Sequence, residues 1–156
     1  MNRYVSYEEV DKLTNDIIKS IMNDQLKPQI VVGISRGGLL PAIRISNFLD
    51  IPMECLRVNL RDNTSTKPQS HSWLPERAND GMEILIVDDI NDTGATINWI
   101  LDDWCKTTTR AAFDSNINFA TLFSKPSSYA LVSPTYIGEV IDVERENDWI
   151  IFPWEK

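Results

Sequence analysis

Apolar positions along the chain follow two rhythms. Val10, Leu13, Ile17, Ile18 and Ile21 recur at helical spacing behind a capping-box pattern, Ser6-Tyr7-Glu8-Glu9, and predict an amphipathic helix over residues 7–23 that covers a sheet. Gln29-Ile30-Val31-Val32-Gly33-Ile34 is instead a continuous β-branched run, the mark of a buried strand. Leu39 to Leu49 returns to the helical pattern, with Pro41 in its first turn. Met53–Leu60 reads as a strand after the Asp50-Ile51-Pro52 break. Residues 61–81 are polar, turn-forming and carry two prolines, which predicts a long loop of the kind that serves as a lid or binding loop. Glu83–Val87 is a strand, and Ile97, Ile100, Leu101 and Trp104 form an apolar helix face. Residues 106–116 read as a polar connection, and Asn118–Phe123 and Tyr136–Val143 as further strands. Alternating strands and helices over the first 125 residues predict an α/β fold, a mostly parallel central sheet flanked by helices on both faces.

Composition narrows the class. The chain has 156 residues, 42% hydrophobic and 24% charged, and is expected to form a single domain over 1–156. A net charge of −8 argues against general nucleic-acid or anionic-membrane binding. No apolar run approaches the ~20 residues that span a bilayer, so no stable membrane insertion is expected. The first residues carry no signal-peptide core. Cys55 and Cys105 lie in apolar stretches without CxxC spacing, as reduced core cysteines of a cytoplasmic protein would.

Candidate chemistry gathers where strands end. Ile84-Leu85-Ile86-Val87 runs directly into Asp88-Asp89-Ile90-Asn91-Asp92-Thr93-Gly94-Ala95-Thr96. A helix opening on small residues offers N–H groups and a positive dipole end to an anion. Two carboxylates stand beside it, so a ligand with a phosphate plus hydroxyls or a metal ion fits, and a sugar phosphate is such a ligand. After the earlier strand, Ser35-Arg36-Gly37-Gly38 can form an anion nest with an arginine fork. Taken alone, it reads equally as a tight turn with a solvated arginine. Four of the six glycines, Gly33, Gly37, Gly38 and Gly94, lie at or beside these two stretches, which favours the anion site. His71, the single histidine, reads as an exposed loop imidazole rather than a catalytic group. Trp73 reads as a lid anchor or a subunit contact.

An apolar strand, an acidic pair and Asp-Thr-Gly-x-Thr together resemble the phosphoribosyl pyrophosphate (PRPP) signature of the type I phosphoribosyltransferases. Ile84 to Thr96 matches it at every defining position, and Ser35 to Gly38 matches the pyrophosphate loop. Phe123-Ser124-Lys125-Pro126 and Trp149 to Glu155 are similar to the xanthine–guanine members of that family. The resemblance covers residues 29–155 and is weakest through 61–81.

That resemblance implies a type I phosphoribosyltransferase fold with a lid at 61–81 and a small base-binding hood at 124–156. It implies transfer of the phosphoribosyl group of PRPP to a 6-oxopurine (guanine, xanthine or hypoxanthine), with release of pyrophosphate, in purine salvage. Thr93, Gly94, Ala95 and Thr96 would hold the 5-phosphate. Ser35, Arg36, Gly37 and Gly38 would hold the pyrophosphate. Asp88 and Asp89 would hold the ribose hydroxyls, with Asp89 at Mg²⁺. Asp92 would handle the proton on N7, Lys125 would donate to the 6-oxo group, Trp149 would stack on the base, and the Ile150 backbone would meet the 2-substituent. Asp92 and Arg36 are the implied catalytic residues, and Arg61 or Lys67 would reach the pyrophosphate from the lid. The implied assembly is a homodimer or homotetramer. The alternatives are a non-catalytic regulator of the same fold that senses PRPP or a nucleotide, and a transferase for another base.

Overall fold

The computed structural model of the chain describes residues 1–58, 60 and 73–155. Within them the chain forms seven strands: β1 (Asn2–Tyr4), β2 (Ile30–Ser35), β3 (Met53–Arg57), β4 (Ile84–Asn91), β5 (Ile117–Ser124), β6 (Tyr136–Val140) and β7 (Trp149–Ile151). Five α-helices accompany them: α1 (Tyr7–Asn23), α2 (Leu39–Leu49), α3 (Trp73–Asn79), α4 (Ala95–Trp104) and α5 (Arg110–Asn116). The order β3-β2-β4-β5-β6 makes one parallel sheet, and β1 pairs with β7 in a separate two-stranded ribbon.

Side chains of β4 alternate between the two faces, as pleating requires. Leu85 and Val87 join Val10, Leu13 and Ile17 of α1 and Ala42 and Ile45 of α2. Ile84 and Ile86 join Leu74 of α3, Ile97, Ile100 and Trp104 of α4 and Phe113 of α5. A central strand covered on both faces reads as an unbroken apolar run for this reason. Ser6 caps α1, its Oγ accepting from the Glu9 N–H at 3.1 Å. The chain leaves β2 toward β3 on one side and later fills β4 on the other. That reversal opens a crevice at the carboxyl ends of β2 and β4, the usual ligand position in such sheets.

Several expectations need correction. Residues 61–81 are not loop throughout, because 73–79 form α3. Leu74, Pro75 and Ala78 bury one short face there, a pattern that the surrounding polar residues hide. Residues 110–116 are helical, started by Thr109, whose hydroxyl accepts from the Ala112 N–H at 3.1 Å; only Phe113 of this helix is buried. β3 ends at Arg57 and β6 at Val140, whereas β4 runs on through Asn91. Cys55 is exposed on the edge strand β3 and Cys105 is half-buried, so neither is the core residue expected. The N-terminal strand β1 was not legible at all. Arg61, Lys67 and His71 lie outside the described residues, and Trp73 opens α3 with its ring two-fifths exposed.

Candidate active site

β4 carries the centre of the site. Its alternation continues past Val87, so Asp88 and Asp89 leave the strand on opposite faces. Asp88 stands in register with Thr121 of β5 and accepts the Asp89 N–H at 2.9 Å. Asp89 points the other way, toward the loop after β2. A side chain at Gly37 would overlap the Asp89 carboxylate, so the glycine is what lets the two loops meet. Burial in this contact pushes the Asp89 carboxyl up from its ordinary value. The loop itself holds a cis Ser35–Arg36 peptide, with Arg36 exposed.

Beyond Asn91 the chain turns into α4. Gly94 sits at the helix N-cap with φ +92°, a backbone conformation that side chains disfavour. A side chain there would also overlap the backbone of Ala130. The Thr93 hydroxyl accepts from the Ala95 N–H at 3.2 Å. The N–H groups of a first helical turn have no partner within the helix, so residues 93–97 present an anion cradle at the end of the crevice.

The third wall comes from the carboxyl end of β5. Lys125 Nζ lies 2.8 Å from the Asp92 carboxylate, and both side chains are mostly covered. The Lys125 N–H donates to the Asn91 carbonyl at 2.9 Å, and the Tyr129 N–H to the Thr93 carbonyl at 2.9 Å. The tail closes the cleft. Trp149 is half-exposed and Ile150 is buried. Pairing of β7 with β1 fixes both residues, with Arg3 opposite Ile150. Phe152 and Trp154 stack with ring centroids 4.8 Å apart, which gives Trp154 a structural place.

These walls enclose a cleft of about 1180 Å³ lined by Ser35, Arg36, Gly37, Asp88, Asp89, Asp92, Thr96, Lys125, Trp149 and Ile150. A side chamber of about 440 Å³ continues it along Thr93–Ile97, Phe119 and Thr121. Gly38 is buried behind the cleft against the Val87 carbonyl. The described candidates are thus gathered in one place. Three contributors were missed. Arg57 lines the cleft from the end of β3; the expected strand ran on to Leu60 and so hid its position at a carboxyl end. Asn91 and Ser128 tie the walls together, and neither has a sequence signature. Among the described residues no three ligating side chains converge as a metal site. Mg²⁺ commonly takes one or two carboxylates and fills its remaining positions with substrate oxygens and water, so the Asp89 side of the cleft is compatible with it.

A parallel sheet flanked by helices, with an acidic strand end beside the N-terminus of α4, places the chain among the α/β proteins that bind ligands at the carboxyl ends of their strands. The phosphoribosyl transferase domain family matches residues 5–155, and the chain belongs to that family. It is 38% identical over 128 residues to a xanthine-guanine phosphoribosyltransferase of Cereibacter sphaeroides, covering 80% of this chain and 68% of that one. It is 30% identical to the enzyme of the same name from Idiomarina loihiensis over 155 residues, 97% of this chain and 86% of the relative. Among solved structures, a purine phosphoribosyltransferase from Pyrococcus horikoshii superposes with a TM-score of 0.74 at 28% identity, covering 99% and 94% of the two chains. No helix among the described residues is long and apolar enough to cross a membrane.

Proposed function

We propose that the protein is a purine phosphoribosyltransferase that joins a 6-oxopurine to the phosphoribosyl group of PRPP and releases pyrophosphate. The observation that carries this reading is the 2.8 Å pairing of Lys125 with Asp92 beside the 93–96 loop. N7 and the 6-oxo group share one edge of a purine. One acceptor and one cationic donor side by side match that edge in a 6-oxopurine. Adenine would set its 6-amino group against an ammonium that has no acceptor to offer. The names of the relatives favour catalysis over a donor-sensing regulator.

In this reading Thr93–Thr96 hold the 5-phosphate at the start of α4, and Asp88 and Asp89 accept from the ribose hydroxyls. Ser35–Gly38 and Arg36 receive the pyrophosphate. A Mg²⁺ ion held by Asp89 and substrate oxygens would supply charge neutralisation to the leaving pyrophosphate. As the bond from C1 to the pyrophosphate oxygen breaks, the purine N9 bonds to C1 through an oxocarbenium-like transition state. The N7 proton passes to the Asp92 carboxylate, a transfer worth about 10²- to 10⁴-fold when well positioned. Trp149 covers one face of the base and excludes water, and the Ile150 backbone meets its 2-substituent. The resemblance assigns the remaining pyrophosphate contact to Arg61 or Lys67, which lie outside the described residues. The chain acts as a single domain in the cytoplasm, as a homodimer or homotetramer. Exposed Tyr4, Ile43 and Phe48 are compatible with such an assembly.

Incubation with PRPP, Mg²⁺ and each of guanine, xanthine, hypoxanthine and adenine tests the reading. Nucleoside monophosphate is expected from the oxopurines and far less from adenine. Absence of product from every oxopurine would overturn it.

A further inference from the structure

We propose that Asn91 is a positioning residue that locks the base-reading turn onto the donor-binding loop. Its side chain is 6% exposed at the end of β4, one residue before Asp92. The Asn91 Nδ2 donates to Ser124 Oγ at 3.0 Å, and Oδ1 accepts from Ser128 Oγ at 2.9 Å. Its carbonyl accepts the Lys125 N–H at 2.9 Å. Ser128 extends the network, because its Oγ also accepts from the Ala130 N–H at 3.3 Å and its own N–H donates to the Lys125 carbonyl at 3.1 Å. Ala130 is the residue against which Gly94 packs. One buried amide therefore binds both ends of the 124–128 turn, and the turn presses on the loop that holds Thr93 and Gly94.

A buried amide is costly unless both its ends are paired. A leucine, with the same branching and the same number of side-chain heavy atoms, would occupy the position without fixing an orientation. The amide instead sets the backbone on either side of the Lys125–Asp92 pair. Displacement of a positioned group by about 1 Å can cost about 10²-fold in rate, so the network acts on the base edge without touching substrate. Asn91 does not itself contact the Thr93–Thr96 groups proposed for the donor phosphate and reaches them only through Ser128 and Ala130, so donor affinity should fall less than base use.

The inference rests on the purine transferase reading, and the unaltered protein separates the two. If it makes no nucleotide, the reading fails. If it does, Asn91→Leu and Ser128→Ala test the inference through three measurements: base-dependent kcat/KM at saturating PRPP, PRPP affinity by calorimetry, and thermal midpoint. For Asn91→Leu the expected result is a fall in kcat/KM for guanine of about tenfold, from one to two lost hydrogen bonds. PRPP affinity should fall less, by about twofold at most. Ser128→Ala removes two bonds made by a half-buried hydroxyl, one to Asn91 Oδ1 and one from the Ala130 N–H, and keeps the test alive if the leucine variant does not fold. It should show the same split at about threefold. In the double variant the losses should be less than additive, since both act on one network. Equal losses of donor affinity and base kcat/KM, strictly additive losses, or no change in Ser128→Ala would each overturn the inference.

Discussion

Lys125→Met separates the base-reading role from a merely structural one. The side chain is 14% exposed and its ammonium sits 2.8 Å from the Asp92 carboxylate, itself 24% exposed. Methionine keeps most of the stem volume and removes the charge. The pair is mostly covered but lines the open cleft, where water can take the place of the lost ammonium at Asp92, so the loss to folding should stay about 1 kcal/mol and the thermal midpoint should drop by a few degrees. Catalysis should suffer more. A hydrogen bond from a charged donor is worth about 1.5–3 kcal/mol, which corresponds to about 10- to 140-fold in kcat/KM. That loss should fall on guanine and xanthine and spare PRPP. Adenine makes no use of the donor, so the oxopurine preference over adenine should shrink by the same factor. The assay is initial rate against base concentration at saturating PRPP, then against PRPP at saturating base. An unchanged guanine-to-adenine ratio, or a PRPP KM that rises as much as the base KM, would refute the reasoning.

Other consequences are as concrete. Asp92→Asn should lower turnover by about 10²-fold or more while PRPP binding, read by calorimetry, persists; equal loss of both would make Asp92 a ligand-holding residue. Asp89→Asn should raise the thermal midpoint of the ligand-free protein at pH 7 while reducing activity. Burial pushes the Asp89 carboxyl up, so its charge is a cost to folding above its unfolded value, and the gain should vanish at about pH 3, where both states are protonated. Glu139 behaves oppositely. Its hydrogen bonds from Arg3, at 2.6 and 3.1 Å, pull its carboxyl down. The stability it adds is complete above the unfolded value, about pH 4.3, and is lost as pH falls through the lowered folded value. The midpoint difference between the unaltered protein and Glu139→Gln should be present at pH 6 and close below that window.

Legibility followed the physics of each signal. The central strands were plain because burial on both faces demands unbroken apolar runs, as in Ile84–Val87. The position of the site followed from glycines and carboxylates placed at strand ends, where the sheet's reversal leaves a crevice. Helix α5 was hidden because a seven-residue helix with one buried side chain, Phe113, has no period to read. β1 was hidden because three residues take their structure from pairing with β7, across 147 positions of sequence. Cys55 misled because an apolar neighbourhood in sequence does not reveal which face of an edge strand is left uncovered: Cys55 is exposed while Leu56 beside it is buried. Asn91 and Ser128 were invisible because a buried amide network depends on which loops meet. No local spacing encodes that.

A structure of the protein with guanosine monophosphate bound tests the central claim most directly, that one cleft holds a sugar phosphate and reads an oxopurine. Phosphate oxygens should lie on the N–H and hydroxyl groups of Thr93–Thr96, with the purine against Trp149 and its 6-oxo group within hydrogen-bond reach of Lys125. A phosphate seated instead on Ser35–Gly38, or a base turned away from Lys125 and Asp92, would contradict it.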